Sequence, residues 1–356
     1  MATKPISVLI TLASSVAYPG FVKCLRRGQK GKFRIIGTAP DKDAVGFAFV
    51  DKGYLVPLPE SKNFVTRLLE VCRKEKVKVL LPSAPKELIS IASNLKKFEK
   101  IGTAVPLSSL ESLILTTDKC QFFNFCQKIS VPTPKFIKVS NYKELKEAIF
   151  RSGYPKNQVC FKPIISSGTR GFRVLSAKHD QFNHLIKEQP DSTFASFDGI
   201  SSILRKCKDF PDLLVMEYLP GDEYSVDILA DQGKPLVIVP RIRTKIILGA
   251  SFVGEVVKQE EIIRYSKKIV SSLKLNGIVG IQFKMDKRNS PKILEVNPRI
   301  HGGIICSAVA GANLIYLAVK NALKENWKAP KIKWGNKFIR YYDEVYQDKK
   351  GKFFRF

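Results

Sequence analysis

The stretch that decides the fold is GIVGIQFKMDKRNSPKILEVNPR, residues 277–299. Two runs in which apolar and polar side chains alternate flank a short polar segment, and this pattern predicts a β-hairpin. Centring the turn on Arg288–Asn289 places Gln282 directly opposite Glu295. Because side chains alternate along a strand, Glu295 and Asn297 share one face.

That face carries one carboxylate and two amide oxygens, from Glu295, Asn297 and Gln282. Hard oxygen ligands of this kind suit magnesium and leave positions open for phosphate oxygens. Arg299 follows on the same face and could neutralise a phosphate or hold a substrate carboxylate through two hydrogen bonds. The alternative is an edge hairpin whose polar residues face water, but that reading does not explain the Pro-Arg-Ile-His-Gly-Gly run that follows Asn297.

Upstream, CFKPIISSGTRG (residues 160–171) sets Lys162 in a short apolar strand, where an unpaired ammonium group would be costly. A polar loop follows at once and could turn its backbone N–H groups toward phosphate. The loop residues of interest are Ser167, Gly168, Thr169, Arg170 and Gly171. Such a loop is common, and the preceding lysine gives it weight.

A third segment, MEYLPGDEYSVD (residues 216–227), places Glu217 and Glu223 on either side of a Pro-Gly turn. Carboxylates suit the adenine amino group and the ribose hydroxyls, although Glu223 could equally be an ordinary turn residue. Farther along, Arg241, Arg243 and Lys245 fall on one strand face, where like charges repel unless they meet an anion. A solvated edge strand explains them as well.

The first hundred residues alternate short apolar runs (7–11, 34–38, 53–58 and 77–82) with helical patterns, clearest at 64–76. This order predicts a parallel sheet with helices on both faces. The loop after the first run lacks the G-x-G-x-x-G spacing of a dinucleotide site.

The formal net charge is +28, from 60 Lys and Arg against 32 Asp and Glu. This charge favours anionic partners: nucleotides, carboxylates, nucleic acid or an anionic membrane surface. A solvated lysine-rich surface is the alternative, since only the C-terminal KKGKFFRF resembles a nucleic-acid-binding pattern.

The 7 Cys include no Cys-x-x-Cys pair, and none of the 3 His lies at ligand spacing from a Cys, which disfavours disulfide frameworks and transition-metal sites. No apolar run is long enough to span a membrane. The N-terminal ISVLITLASSVA reads better as a strand and turn than as a signal peptide, so we expect a soluble cytoplasmic protein.

Taken in order, these segments resemble the ATP-grasp superfamily, in particular its carbamoyl-phosphate synthase large-subunit branch. The motifs are Asp118-Lys119, Phe-Lys162-Pro, SSGTRG, Glu217-Tyr-Leu-Pro-Gly-Asp-Glu223, Gln282 and Glu295-Val-Asn297-Pro-Arg299, within roughly 105–320. The resemblance implies an α/β and α+β protein: an N-terminal parallel α/β (pre-ATP-grasp) domain at 1–112 and a two-lobed ATP-grasp domain at 113–335. The lid lobe would span about 155–220, the metal-binding lobe about 221–335, and a basic tail 336–356.

The resemblance also implies roles for the residues. Lys119 and Lys162 would contact the α- and β-phosphates of ATP, and the 166–171 loop would close over the β- and γ-phosphates. Glu217 would meet the adenine edge and Glu223 the ribose, with the Tyr218–Leu219 backbone in the adenine slot. Glu295 would bridge two magnesium ions, helped by Gln282 and Asn297; manganese could replace them.

The expected reaction converts a carboxylate into an acyl phosphate and joins it to an amine, with release of ADP. Arg299 and either Arg241 or Arg243 would stabilise the acyl phosphate, and the backbone at 301–303 would shape the carboxylate pocket. Small-molecule carboxylates and amines are the expected substrates, and the chain could act as a homodimer. Ile-His-Gly-Gly after Arg299 differs from the run seen in biotin carboxylases and argues against a carboxylase.

Two other classes stay open at this stage. One is a nucleotide-binding regulator that retains the ATP-grasp architecture and makes no product. The other is a nucleic-acid or membrane-surface binder attracted by the positive charge.

Overall fold

The computed structural model describes residues 5–29, 31–166, 168–187, 193–247 and 249–355. Within these residues the β-strands are β1 (Ile6–Ile10), β2 (Phe33–Ala39), β3 (Lys52–Leu55), β4 (Val79–Leu81), β5 (Phe136–Val139), β6 (Val159–Pro163), β7 (Arg173–Leu175), β8 (Phe194–Ala195), β9 (Leu213–Glu217), β10 (Glu223–Asp231), β11 (Lys234–Ile247), β12 (Ala250–Val256), β13 (Gly277–Met285), β14 (Pro291–Asn297), β15 (Lys337–Ile339), β16 (Tyr346–Gln347) and β17 (Phe353–Phe354).

Over the same residues the α-helices are α1 (Tyr18–Gly28), α2 (Phe64–Lys74), α3 (Leu88–Ala92), α4 (Leu95–Lys100), α5 (Leu110–Thr117), α6 (Lys119–Lys128), α7 (Tyr142–Arg151), α8 (Gln181–Ile186), α9 (Phe197–Leu204), α10 (Glu260–Ser272), α11 (Ile305–Val309) and α12 (Leu314–Ala322). In the described residues, no helix is long and apolar enough to cross a membrane.

The N-terminal sheet has the order β3-β2-β1-β4, and all its strand pairs are parallel. Helices cover both of its faces, because successive strand residues point in opposite directions. Val8 and Ile10 belong to a core that includes Tyr18 of α1. Leu9, between them, belongs to a second core with Leu68 of α2. The predicted parallel sheet with helices on both faces is confirmed.

Two further sheets follow in the chain. A six-stranded sheet has the order β14-β13-β10-β11-β12-β15, and a five-stranded sheet has the order β5-β9-β6-β7-β8. In the five-stranded sheet the pairs are antiparallel except β7 with β8. The parallel α/β sheet followed by mixed and antiparallel sheets confirms the predicted fold class, α/β and α+β.

Two compact units make up the chain, and neither is one continuous segment. The first unit contains 1–114, 223–282 and 296–356, and the second contains 115–222 and 283–295. The predicted domain bounds, 1–112, 113–335 and 336–356, stay a prediction. Within the first unit, α12 packs against α1 and β15 pairs with β12, so C-terminal residues join the N-terminal ones.

Candidate nucleotide and magnesium site

Lys119 in the second unit is the first residue of α6, placed there by a helix cap. The Asp118 side chain accepts a hydrogen bond of 2.9 Å from the Gln121 N–H and so fixes where the helix begins. The Lys119 ammonium, largely buried, donates to the Ser166 carbonyl at 2.6 Å and to the Ile164 carbonyl at 3.4 Å. These partners are neutral oxygen atoms just before the predicted phosphate loop.

Lys162 supplies a second buried ammonium in this unit. It lies on β6, is 9% exposed, and its Nζ is 5.6 Å from the centre of the Phe123 ring. Burial, and then the like charge of Lys162, lower the pKa of Lys119 to about 8, while Glu295 and Asp118 act in the opposite direction. Lys162 and Glu295 are therefore close enough to Lys119 to influence its pKa.

The predicted phosphate loop turns sharply. Gly168, Thr169 and Gly171 have positive φ angles of 63°, 60° and 74°. Gly171 also has no room for a side chain, since a Cβ there would lie 2.6 Å from Pro163. Gly168, Thr169 and Arg170 are exposed, and Ser167 lies outside the described residues.

Glu217, at the end of β9, is held by two donors. Its Oε1 accepts hydrogen bonds from the Lys135 N–H at 2.9 Å and from Lys292 Nζ at 2.7 Å. The next residue, Tyr218, has Lys284 Nζ 5.7 Å from its ring centre, and Leu219 is buried. Contacts from Lys135, Lys292 and Lys284 thus surround the segment predicted to line the adenine slot, and the sequence did not reveal them.

Arg241 and Arg243 lie on β11 in the first unit and are 2% and 8% exposed. β11 has β10 on one side and β12 on the other, so the edge-strand alternative is wrong. The anions they meet belong to the protein: Arg241 Nε donates to Asp227 Oδ2 at 3.0 Å, and Arg243 pairs with Glu223. Two residues predicted to contact the nucleotide and the acyl phosphate, Glu223 and Arg243, thus bind one another.

The centre of the hairpin turn lies half a residue from its predicted position. Asp286 N–H donates to the Ser290 carbonyl at 3.0 Å, and Asn289 N–H donates to the Asp286 carbonyl at 2.9 Å. Asn289 has a φ of 58°, so the loop contains three residues centred on Arg288, with the last one left-handed. A turn centred on Arg288–Asn289 was wrong.

Farther along β14 the alternation of burial slips. Ile293 is buried, Leu294 and Glu295 are both partly buried, and Val296 is buried again. Two successive residues on one side are the pattern of a β-bulge, which inserts one extra residue in one strand. A bulge there would insert one extra residue and offset the shift made at the turn; the pairing of Gln282 with Glu295 stays a prediction.

Asn297 and Arg299 contact each other in the first unit. Arg299 Nη2 donates to Asn297 Oδ1 at 3.2 Å, and Nη1 donates to the Ile300 carbonyl at 3.0 Å. The guanidinium is thereby directed by the same amide oxygen that was predicted to bind magnesium. Gln282, Glu295 and Asn297 are all partly buried, neither sealed in a core nor fully in water.

Sequence reasoning missed a buried acid near the ends of β1 and β4. Glu87, 3% exposed, accepts hydrogen bonds from the Ser83 and Ala84 N–H groups, each at 2.8 Å, and from the Thr11 hydroxyl. Burial raises the pKa of Glu87, and the nearby charge of Arg299 opposes that rise. Glu87 follows an apolar strand by a few residues, but the local sequence pattern does not predict its contact with Thr11, 76 residues away.

Asp227 was also missed, although an acid inside the apolar run SVDILAD is a signal that it must be paired. It lies on β10 and is 1% exposed. The neighbouring cation Arg241, together with His301, holds the pKa of Asp227 well below its usual range despite the opposing effect of burial.

The donor set suits magnesium better than a softer metal. Among the described residues, no three or more His, Cys, Asp or Glu side chains gather as a metal site. The predicted ligands instead comprise one carboxylate and two amides, which are hard oxygen donors with a low total charge. Such a set fits an ion that takes its remaining ligands from phosphate oxygens and water.

Two family models match the chain. Residues 209–341 match "ATP-grasp in the biosynthetic pathway with Ter operon", and residues 12–106 match "PylC-like, N-terminal domain".

Among curated proteins, the chain is 26% identical over 309 residues to the carbamoyl phosphate synthase large chain of Clostridium acetobutylicum. It is 25% identical over 307 residues to the corresponding protein of Clostridium perfringens strain 13. Each match covers 83% of this chain and 26% of the relative, so the chain spans about a quarter of the length of these proteins.

Solved structures show the same fold at low identity. An ADP complex of N5-carboxyaminoimidazole ribonucleotide synthetase has a TM-score of 0.66 at 16% identity, covering 94% of this chain and 80% of that one. Biotin carboxylase from Campylobacter jejuni, in a complex with an ATP analogue, has a TM-score of 0.66 at 15% identity, covering 93% and 74%. An L-amino acid ligase from Bacillus licheniformis has a TM-score of 0.59 at 16% identity, covering 92% and 78%.

Proposed function

We propose that this member of the ATP-grasp superfamily is an ADP-forming ligase that activates a carboxylate as an acyl phosphate and joins it to an amine. The likeness to carbamoyl phosphate synthase chains, and to folds seen with ADP or an ATP analogue, supports nucleotide-dependent chemistry of this class. The chain's own residues support the particular roles given below.

The observation that carries the proposal is the pair of buried ammonium groups, Lys119 and Lys162. Two like charges kept from water are costly, and the lowered pKa of Lys119 reflects that cost. The hydrogen bonds of Lys119 described above go to neutral oxygens. A polyphosphate would favour the charged form of Lys119, with the loop from Gly168 to Gly171 offering backbone N–H groups.

Glu295, Asn297 and Gln282 are the residues proposed to hold magnesium, and manganese could take the same ligands. When bound, the metal would neutralise the negative charge on the phosphates as that charge moves to the leaving group. Glu217 and Glu223 are proposed to orient adenine and ribose, with the Tyr218–Leu219 backbone beside the base. Each of the two carboxylates is itself fixed by a cation, Lys292 or Arg243.

In the proposed reaction, a substrate carboxylate oxygen attacks the γ-phosphorus and the bond to the β-γ bridging oxygen breaks, giving an acyl phosphate and ADP. An amine then attacks the acyl carbon, phosphate leaves, and a proton departs from the nitrogen. No protein nucleophile is needed, because positioning and charge neutralisation supply the catalysis. Since Asp227 and Glu223 already neutralise Arg241 and Arg243, we assign the acyl-phosphate contact to Arg299.

A trapping screen tests this function. Purified protein is incubated with MgATP, hydroxylamine and pools of amino acids and small carboxylic acids, and ADP and acyl hydroxamate are both measured. We expect at least one pool to give hydroxamate and ADP in equal amounts, and we expect Glu295→Gln to form neither product. ADP release with no hydroxamate from any pool would contradict carboxylate activation.

A further inference from the structure

A continuous chain of buried polar groups runs through the six-stranded sheet of the first unit. Arg243 Nε donates to Ser251 Oγ at 2.8 Å, and Arg241 Nη1 donates to the same oxygen at 3.2 Å. Arg241 in turn binds Asp227. Buried ion pairs often cost as much in desolvation as they return, so stability alone is a weak reason for such a chain.

The chain ends on the segment that follows Arg299. Ser307 Oγ donates to Asp227 Oδ2 at 2.7 Å. Nδ1 of His301 lies 3.4 Å from Asp227 Oδ1, long for a well-formed hydrogen bond but close enough for the carboxylate to oppose the lowering of the His301 pKa that burial causes. One carboxylate therefore meets both ends of residues 301–307, and Arg340 Nη2 adds a third contact by donating to the Gly302 carbonyl at 2.8 Å.

Two glycines make room for this arrangement. A Cβ built on Gly280 of β13 would lie 1.9 Å from both Cε1 and Nε2 of His301. A Cβ on Gly303 would lie 2.6 Å from Arg241 Nη2. The buried imidazole and guanidinium therefore occupy space that exists only because these positions have no side chain.

We propose that Asp227 is a positioning residue: through His301 and Ser307 it fixes the segment carrying Arg299. This rests on the proposed function, in which Arg299 contacts the substrate carboxylate and the acyl phosphate. Misplacing such a group by about 1 Å can lower the rate by about 100-fold. A buried carboxylate that accepts a hydrogen bond from Ser307 and lies 3.4 Å from His301 restricts that movement.

A purely structural role for the ion pair predicts something different. Weakening it would then lower the stability of the protein without selectively changing how the carboxylate substrate is used. The two readings separate when local mobility and substrate kinetics are measured in variants that leave Arg299 itself intact.

Gly280→Ala is the first variant, since its methyl group displaces the His301 ring without removing any polar group. Gly53→Ala is the matched control: Gly53 lies on β3 of the N-terminal sheet, and its Cβ would meet the Phe47 ring at 2.5 Å, so it displaces an aromatic ring outside the six-stranded sheet. Hydrogen exchange of peptides covering 299–307 is measured in both, together with MgADP affinity. Hydroxamate formation is measured with the pooled common amino acids as carboxylate donors.

We expect Gly280→Ala to speed exchange in 299–307 and to raise the half-saturating concentration of the amino-acid pool by about tenfold or more. MgADP affinity should stay within about twofold, and Gly53→Ala should leave both readouts near wild type. Ser307→Ala removes only one hydrogen bond to Asp227. It should speed exchange in 299–307 and raise the half-saturating concentration of the amino-acid pool, each by less than Gly280→Ala does. It replaces Gly280→Ala if that variant does not fold.

Exchange in 299–307 that matches the control in both variants would overturn the anchoring. Faster exchange with unchanged use of the amino-acid pool would overturn the positioning role. If wild-type protein forms no hydroxamate from any donor, the proposed function fails, and the exchange measurement still decides whether Asp227 holds the segment.

Discussion

Two buried cations in this protein, Arg241 and Lys119, have opposite surroundings. In the first unit, Arg241 pairs with Asp227; burial acts to lower the pKa of Arg241, but Asp227 and Cys306 together outweigh burial and the pKa is raised. In the second unit, Lys119 bonds to carbonyl oxygens, and burial together with Lys162 lowers its pKa to about 8.

The difference shows how to separate a structural cation from one kept for a ligand. A buried cation with its own carboxylate is complete within the fold, and removing its partner leaves an uncompensated charge. A buried cation whose charged form is disfavoured by a like charge gains when an anion binds. By this reasoning Arg241 and Arg243 belong to the architecture, and Lys119 is proposed for the phosphate site.

The largest expected effect comes from Asp227→Asn. Arg241 would then be buried beside a neutral amide, and we expect the free energy of unfolding to fall by about 3–5 kcal/mol. Denaturant unfolding measures it. Glu70→Gln, which breaks the exposed pair with Arg67, is the control and should cost less than about 1 kcal/mol. Equal losses in the two variants would refute the distinction between buried and surface pairs.

Lys119→Met should weaken nucleotide binding while leaving the fold intact. Losing a charged hydrogen bond to phosphate costs about 1.5–3 kcal/mol, which raises the Kd for MgADP by about 10- to 100-fold. Without ligand, the variant should unfold at the same or a higher temperature than wild type, because a disfavoured charge is gone. Calorimetric titration and thermal unfolding measure the two quantities. A destabilised variant that binds MgADP normally would place Lys119 with the structural cations.

The pKa of Lys119 predicts a pH dependence. It is lowered from 10.5 to about 8, so ligand-free protein should gain stability as pH rises from about 8 toward 10.5, where only the unfolded chain keeps the proton. MgADP favours the charged form, so its affinity should fall above about pH 8, by up to about tenfold per pH unit. Titrations in buffers of different ionisation enthalpy should show proton uptake near pH 8, absent in Lys119→Met. Affinity independent of pH from 7 to 9 would contradict the assignment.

Arg170→Ala should have the smallest effect. Arg170 is exposed on the phosphate loop, and a contact between exposed charges contributes less than about 1 kcal/mol. The Kd for MgATP should therefore rise less than about fivefold, and the change should shrink as salt is added. A loss as large as that of Lys119→Met would mean that the loop, and not the buried lysines, holds the phosphates.

Local patterns in the sequence predicted the N-terminal parallel sheet and the hairpin at 277–299, because alternation and strand length depend on neighbouring residues. The turn was placed half a residue away because the left-handed Asn289 makes a three-residue loop that spacing alone does not specify. The partners of Arg241 and Arg243 are Asp227 and Glu223, which lie on β10. They were missed because the register of β10 with β11 shifts between Leu229 and Ala230. Glu87 and Thr11 are likewise brought together only by the finished sheet.

The most direct measurement is the affinity of ADP with magnesium and with EDTA, in wild type and in Glu295→Gln, with Glu217→Gln as a control for loss of a carboxylate. We expect magnesium to tighten ADP binding in wild type and in Glu217→Gln, and to have no such effect in Glu295→Gln. Wild-type binding that ignores magnesium, or full enhancement retained in Glu295→Gln, would contradict a metal-assisted phosphate site at Lys119, Lys162 and Glu295.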